Sequence, residues 1–162
     1  MYAAHTNLDV TAGGVNDWMA EAIGLESCEV LAPTFENTRY KLSVFVPTEA
    51  AERVSTALAK AGAGQEGDYS DCQFHVNGTG QFRPSPEATP YIGEANQLER
   101  VSEVRIETIV TELDQKQVIR AMKQAHPYEE VAYDLIKQER PAAPLGLGPV
   151  SYTHLTLPTK WI

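Results

Sequence analysis

Residues 39–47 read RYKLSVFVP, with Leu42, Val44 and Val46 alternating against Lys41 and Ser43. That two-residue period belongs to a half-buried strand, and Pro47 closes it. The next residues change period. Thr48 caps a helix with Glu49 and Glu52 in its first turn, where carboxylates suit the helix dipole. Ala51, Val54, Leu58 and Ala61 form its inward stripe until Gly62. After a Gly-rich turn, DCQFHV (71–76) sets Cys72, Phe74 and Val76 on one face of a second strand.

Both periods recur further along. A Gly- and Pro-punctuated excursion, NGTGQFRPSPEATPYIGEANQ (77–97), leads to a third strand, SEVRIETIV (102–110), with Val104 and Ile106 on one face. Asp114 and Gln117 make a capping-box-like start to a second helix, whose stripe is Val118, Met122 and Ala125 and which Pro127 ends. The last strand, EVAYDLI (130–136), places Val131, Tyr133 and Leu135 on one side. Strand, helix, strand, strand, helix, strand is the split βαβ order, two helices on one face of a four-stranded antiparallel sheet. The predicted fold class is therefore α+β, with a ferredoxin-like domain over residues 38–137. Its open sheet face and edges invite oligomerisation.

The flanks read differently. GGVNDWMAEAIG (13–24) predicts a short helix capped by Asn16, with Val15, Met19 and Ile23 as its stripe and Gly24 as its left-handed stop. So short a helix has no core of its own, and LESCEVLAPTFENTR (25–39) offers little periodic apolar surface. Residues 1–37 thus read as a fragment of another domain, and 138–149 as a return linker. The last twelve residues, SYTHLTLPTKWI, hold no acidic residue, although the chain has 22 Asp and Glu. VSYTHLTLPTK resembles the translation of a sequencing adapter, so 150–162 is read as a non-native tail and His154 and Trp161 carry no functional weight.

A chain of 162 residues suffices for one domain, or for a small one plus a piece of another. The net charge of −9 argues against nucleic acid and anionic membranes as partners and favours cations. Cys28 and Cys72 stand far apart with no zinc-finger spacing and read as reduced thiols. No apolar run approaches the roughly 20 residues of a spanning helix, and no signal-type segment opens the chain, so a cytoplasmic protein is expected.

The chemistry concentrates near the start, in AAHTNLDVTAGGVND (3–17). Divalent metals take Asp oxygens and neutral His nitrogens, and a carboxylate can bridge two ions. His5 and Asp9 are candidates, yet Asn7 and the Gly13–Gly14 pair indicate a turn or loop. From spacing alone two readings stand: Asn7 and Asp9 cap backbone amides, or the loop aims Asp9 and His5 at one ion.

YAAHTNLDVTAGGVNDWMAEAIGL is similar to a segment of the Nif-three-like family, the GTP cyclohydrolase I type 2 homologues. The likeness continues through YKLSVFVP, GTGQFRP, IGE, RIETIV and HPYEEVAYDL, which look like the inserted domain of the family's longer members, to about residue 148. The resemblance implies a fragment of an α/β metal-binding domain around a CutA/PII-like insertion. It implies two divalent ions per subunit in the intact parent, with zinc, iron or manganese suitable, and toroidal hexamers built from trimers.

The family's ligands are an adjacent His pair, the Asp of HTNLD, and a later His and Glu. Only Asp9 maps to them here, and His5 maps beside it, as a group facing substrate or supporting a ligand or as a structural hydrogen-bonding one. The implied activity is metal-dependent hydrolysis of a phosphorylated or nucleotide ligand. The alternative is a non-enzymatic metal-binding or regulatory oligomer whose inserted domain mediates assembly or binds an effector.

HPYEEVAYD also resembles the CutA family. His126, Glu129 and Glu130 within it either bind a cation or form a helix end with solvated carboxylates. HVNGTGQF (75–82) lacks a full phosphate-loop pattern and reads as a turn or bulge. No Ser, His and Asp spacing suggests a nucleophile with its base.

Overall fold

The computed structural model describes residues 6–140 and 142–151. In chain order the elements are α1 (Asn7–Val10), α2 (Val15–Ala22), β1 (Glu29–Phe35), β2 (Arg39–Pro47), α3 (Ala51–Lys60), β3 (Gln73–Phe82), β4 (Glu99–Thr111), α4 (Gln115–Ala125), β5 (Tyr133–Lys137) and β6 (Leu145–Val150). They fall into two compact units. One is Thr38–Arg140; the other is built from the segments on either side of it.

The central unit has the sheet order β3-β4-β2-β5, with every neighbouring pair antiparallel. This is the ferredoxin-like arrangement that the alternation of strand and helix periods predicts. Leu42, Val44 and Val46 of β2 sit opposite Thr108, Ile106 and Val104 of β4, so a single register turns all of them towards the helices. Val54 and Leu58 of α3 and Val118 and Met122 of α4 close the core over that face. Tyr133 and Leu135 of β5 pack at its edge.

Three local readings are corrected. Thr48 does not cap α3: Thr48–Ala50 form a 3-10 turn, and the Thr48 hydroxyl donates to the Ser102 carbonyl at 3.1 Å. Asp114 and Gln117 make no capping box. The Asp114 carboxylate instead accepts from Thr111 Oγ1 at 2.7 Å and from Gln117 Nε2 at 2.8 Å.

The third correction concerns β3, which continues through NGTGQF as regular strand where a turn or bulge was expected. Gln73, opposite Thr108, shares the helix-side face, and Phe74, opposite Glu107, lies on the open face, 64% exposed. As an edge strand, β3 tolerates polar residues on the helix side because they find partners there. Gln73 accepts from Ser55 Oγ at 2.8 Å and donates to the Ser55 carbonyl at 2.9 Å.

The flanking segments form the second unit. β1 and β6 pair antiparallel from Glu29 opposite Val150 to Phe35 opposite Leu145, with an irregularity between Pro33 and Phe35. The stretch read as a return linker therefore carries a strand. Gly146 and Gly148 and the prolines around it hide the alternation that would have revealed it. The expected tail begins inside this strand at Val150, and residues 152–162, with His154 and Trp161, lie outside the described residues.

Helix α2 starts after Gly14, and Asn16 lies within it rather than capping it. The helix ends as predicted, with Gly24 at φ +73° and the Leu25 amide donating to the Ala20 carbonyl at 2.9 Å. Its stripe is displaced: Ala20 is buried, while Met19 and Ile23 are 60% and 73% exposed.

Among the described residues, every buried apolar side chain apart from Ala20 belongs to the central unit. A two-stranded sheet without a core is marginal. Chymotrypsin is therefore expected to cut the chain at Trp18 and its neighbours roughly tenfold faster than anywhere in 39–137, which should survive as a stable product. Mass spectrometry of a digestion time course checks this. Protection of the first 30 residues would contradict it.

Candidate functional site

Asp9 lies on the single turn α1, in the unit made of β1 and β6. Its amide donates to the Thr6 carbonyl at 3.1 Å, and its carbonyl accepts from Asn16 Nδ2, which ties α1 to the start of α2. The glycine pair has a structural cause. A Cβ on Gly14 would lie 2.1 Å from the Leu8 carbonyl oxygen, so only glycine lets the chain fold back over α1. Gly13, at φ +69°, turns its amide to the Asp17 carboxylate at 2.5 Å.

The Asp9 side chain is half-buried and lines a recess of about 150 Å³ with Thr11, Asn16, Asp17, Cys28 and Glu29. Among the described residues it makes no hydrogen bond or ion pair. Among the described residues the Asp9 carboxylate caps no backbone amide. Also among the described residues, no three His, Cys, Asp or Glu side chains come together as a metal site. His5 lies outside the described residues.

His126, in the central unit, is built for a different task. Pro127 forces it into extended backbone at the end of α4 (ψ 139°), and its ring is buried. Nε2 lies 2.9 Å from the Phe45 carbonyl, and Nδ1 accepts from the Tyr128 amide at 3.0 Å. Those partners fix the neutral tautomer with its proton on Nε2. Burial holds the imidazole below its usual pKa, against the smaller opposing pull of the Phe45 hydrogen bond. Neither nitrogen is left for a metal, so the cation reading of His126 is corrected: it is a structural histidine. The Glu129 carboxylate accepts from the Thr89 amide at 3.1 Å.

The neighbouring residues form a cavity that the motifs gave no sign of. Tyr128 Oη donates to Glu103 Oε1 at 3.0 Å, and burial, followed by that carboxylate, pushes the phenol above its ordinary pKa. Tyr128 meets Phe82 edge-on at 6.1 Å between ring centres and Tyr91 at 6.3 Å. Only a concentration of aromatic residues outside the apolar stripes could have hinted at this, because the parts are scattered from Phe45 to Ala132.

A ferredoxin-like unit set into the chain between the two segments of a second unit defines the class, an α+β protein with an inserted domain. A sequence profile of Duf34/NIF3 (NGG1p interacting factor 3) matches residues 1–138, and the chain belongs to that family. It is 53% identical to the GTP cyclohydrolase 1 type 2 homologs of Halalkalibacterium halodurans and Bacillus subtilis, over 95% and 93% of its own length and 41% and 40% of theirs. A solved Bacillus cereus protein related to NIF3 superposes with a TM-score of 0.80 at 53% identity, over 94% of this chain and 40% of the other. The chain thus spans about two-fifths of the length of the curated relatives it matches. Among the described residues no helix is long and apolar enough to cross a membrane.

Proposed function

We propose that this chain is part of a dinuclear divalent-metal protein in which Asp9 supplies a carboxylate ligand, with His5 beside it supporting the site. The observation that carries the reading is the Asp9 side chain itself: half-buried, lining a recess, and without a hydrogen-bond or ion-pair partner among the described residues. A carboxylate taken partly out of water without a donor is costly, and a cation removes that cost. The carboxylate suits zinc, iron or manganese, but a single one does not make a centre. The remaining donors are therefore assigned outside the described residues.

Such ions would supply Lewis-acid activation of water for hydrolysis of a phosphorylated or nucleotide substrate, in a cytoplasmic homo-oligomer, with hexamers as the proposed assembly. This chain's own contribution is positional. The Asn16 and Gly14 contacts hold α1 so that Asp9 stays at the recess wall.

The test is metal analysis of the protein expressed from its complete gene. Two divalent ions per subunit are expected, with at least a tenfold loss of affinity for one or both in Asp9→Asn. Full metal content in that variant would remove Asp9 from the centre. Bound metal with no turnover across a nucleotide panel would instead favour a non-enzymatic binding protein.

A further inference from the structure

The geometry points to a second site, in the ferredoxin-like unit, that binds a small organic cation: an ammonium or guanidinium group carried on an apolar body. The cavity has a volume of about 390 Å³, within the usual range for small-molecule sites. Its apolar walls are Phe45, Phe82, Tyr91 and Tyr128, with Pro84, Pro90 and Ile92 from the segment between β3 and β4. Its ionisable carboxyl groups are Glu103, Glu129 and Glu130, and among the described residues no Lys, Arg or His lines it.

That combination selects the sign of the ligand. Aromatic faces attract cations, carboxylates attract them further, and an anion here would meet three negative charges with no counter-charge. Guanidinium groups on neighbouring residues already have partners: Arg105 Nε pairs with Glu107 at 3.1 Å, Arg100 Nε donates to Gln81 Oε1 at 3.1 Å, and Arg83 donates to the Asn96 carbonyl.

The site is held in place before any ligand arrives. Glu103, opposite Gly78 on β3, reaches over Gly80, where a Cβ would come 2.1 Å from its Oε2, so the glycine leaves room for this carboxylate. Tyr128 fixes one Glu103 oxygen, and the buried His126 ring fixes the Tyr128 backbone. The wall from 83 to 98 is stapled by the Arg83 guanidinium on the Asn96 carbonyl at 2.5 Å and by the Asn96 amide on the Pro84 carbonyl at 2.8 Å. The Thr89 amide on Glu129 joins that wall to the opposite side. A preorganised pocket of this kind spends little of its binding energy on ordering.

Titration of the purified chain with benzylammonium, followed by calorimetry and amide chemical shifts, tests this. We expect one saturable site with Kd of about 1 mM, a range open to a ligand of about eight non-hydrogen atoms. Shifts should centre on residues 80–92, 103 and 128–132. Benzyl alcohol should bind roughly tenfold more weakly and phenylacetate not at all. Glu103→Gln, which keeps shape and an acceptor for Tyr128, should weaken benzylammonium roughly fivefold, as should Tyr91→Ala at an exposed ring. Thermal melts would show that both variants remain folded. Absence of saturation at 10 mM, equal affinity for the alcohol or the acid, or unchanged affinity in both variants would overturn the assignment.

Discussion

Leu58→Ala is expected to lower the unfolding free energy of the ferredoxin-like unit by about 3 kcal/mol, while Leu113→Ala changes it by less than about 0.5 kcal/mol. Both remove the same atoms. Leu58 is fully buried in the cluster that joins α3, α4 and the inward faces of β2 and β4, whereas Leu113 is 57% exposed ahead of α4. Removing the Leu58 side chain leaves a cavity that the rigid sheet cannot close, so the lost transfer energy and the empty volume add. Urea denaturation with a shared slope measures the difference as a shift in midpoint. Equal midpoints for the two variants would mean that the helices do not close over the sheet as described.

The second large effect belongs to His126. Replacing it with Ala leaves the Phe45 carbonyl and the Tyr128 amide without their partners, at a cost of about 2–4 kcal/mol. The same histidine gives stability a pH dependence whose sign follows from its lowered folded-state pKa. As pH falls below about 6.5 the unfolded chain takes up a proton first, so stability is full above that value and declines down to the folded pKa.

Groups around the ring act in both directions: Glu103 opposes the lowering and Arg53 adds to it. A separate decline below the usual carboxylate value of 4.5 belongs to Glu66 and Glu107, whose pKa values are lowered first by hydrogen bonds from Arg39 and Lys41. Melting temperatures between pH 8 and 5 should therefore fall in the parent and stay nearly level over the upper part of that range in His126→Ala. A matching fall in both proteins would place the titration elsewhere.

The central fold was readable because β2, α3 and α4 each bury one side completely. Leu42, Val44 and Val46 at a period of two, and Val54 and Leu58 at helical spacing, have one consistent partner surface. Where burial is partial, periodicity stops carrying information. In β3 the apolar Phe74 faces outward and the polar Gln73 inward, because hydrogen bonds to Ser55 satisfy it there, so alternation alone does not tell which face is buried. β1 and β6 were hidden for a related reason: their pairing joins residues more than a hundred positions apart, and among the described residues it buries little apolar surface.

The sites divide in the same way. Asp9 stood out through its residue type and its likeness to a family segment, although nothing in the spacing revealed that its carboxylate makes no hydrogen bond or ion pair among the described residues. The ligand reading of His126 stayed open because sequence does not show that both ring nitrogens are already engaged. The cavity over Gly80 has no local signature. Phe45, Phe82, Glu103 and Tyr128 meet only once β2, β3, β4 and the end of α4 are assembled.

Anomalous diffraction from crystals of the metal-loaded protein, expressed from its complete gene, tests directly whether Asp9 coordinates metal. The predicted result is a pair of anomalous peaks with an Asp9 carboxylate oxygen about 2.0–2.2 Å from at least one of them. Metal peaks whose ligands do not include Asp9 would contradict it.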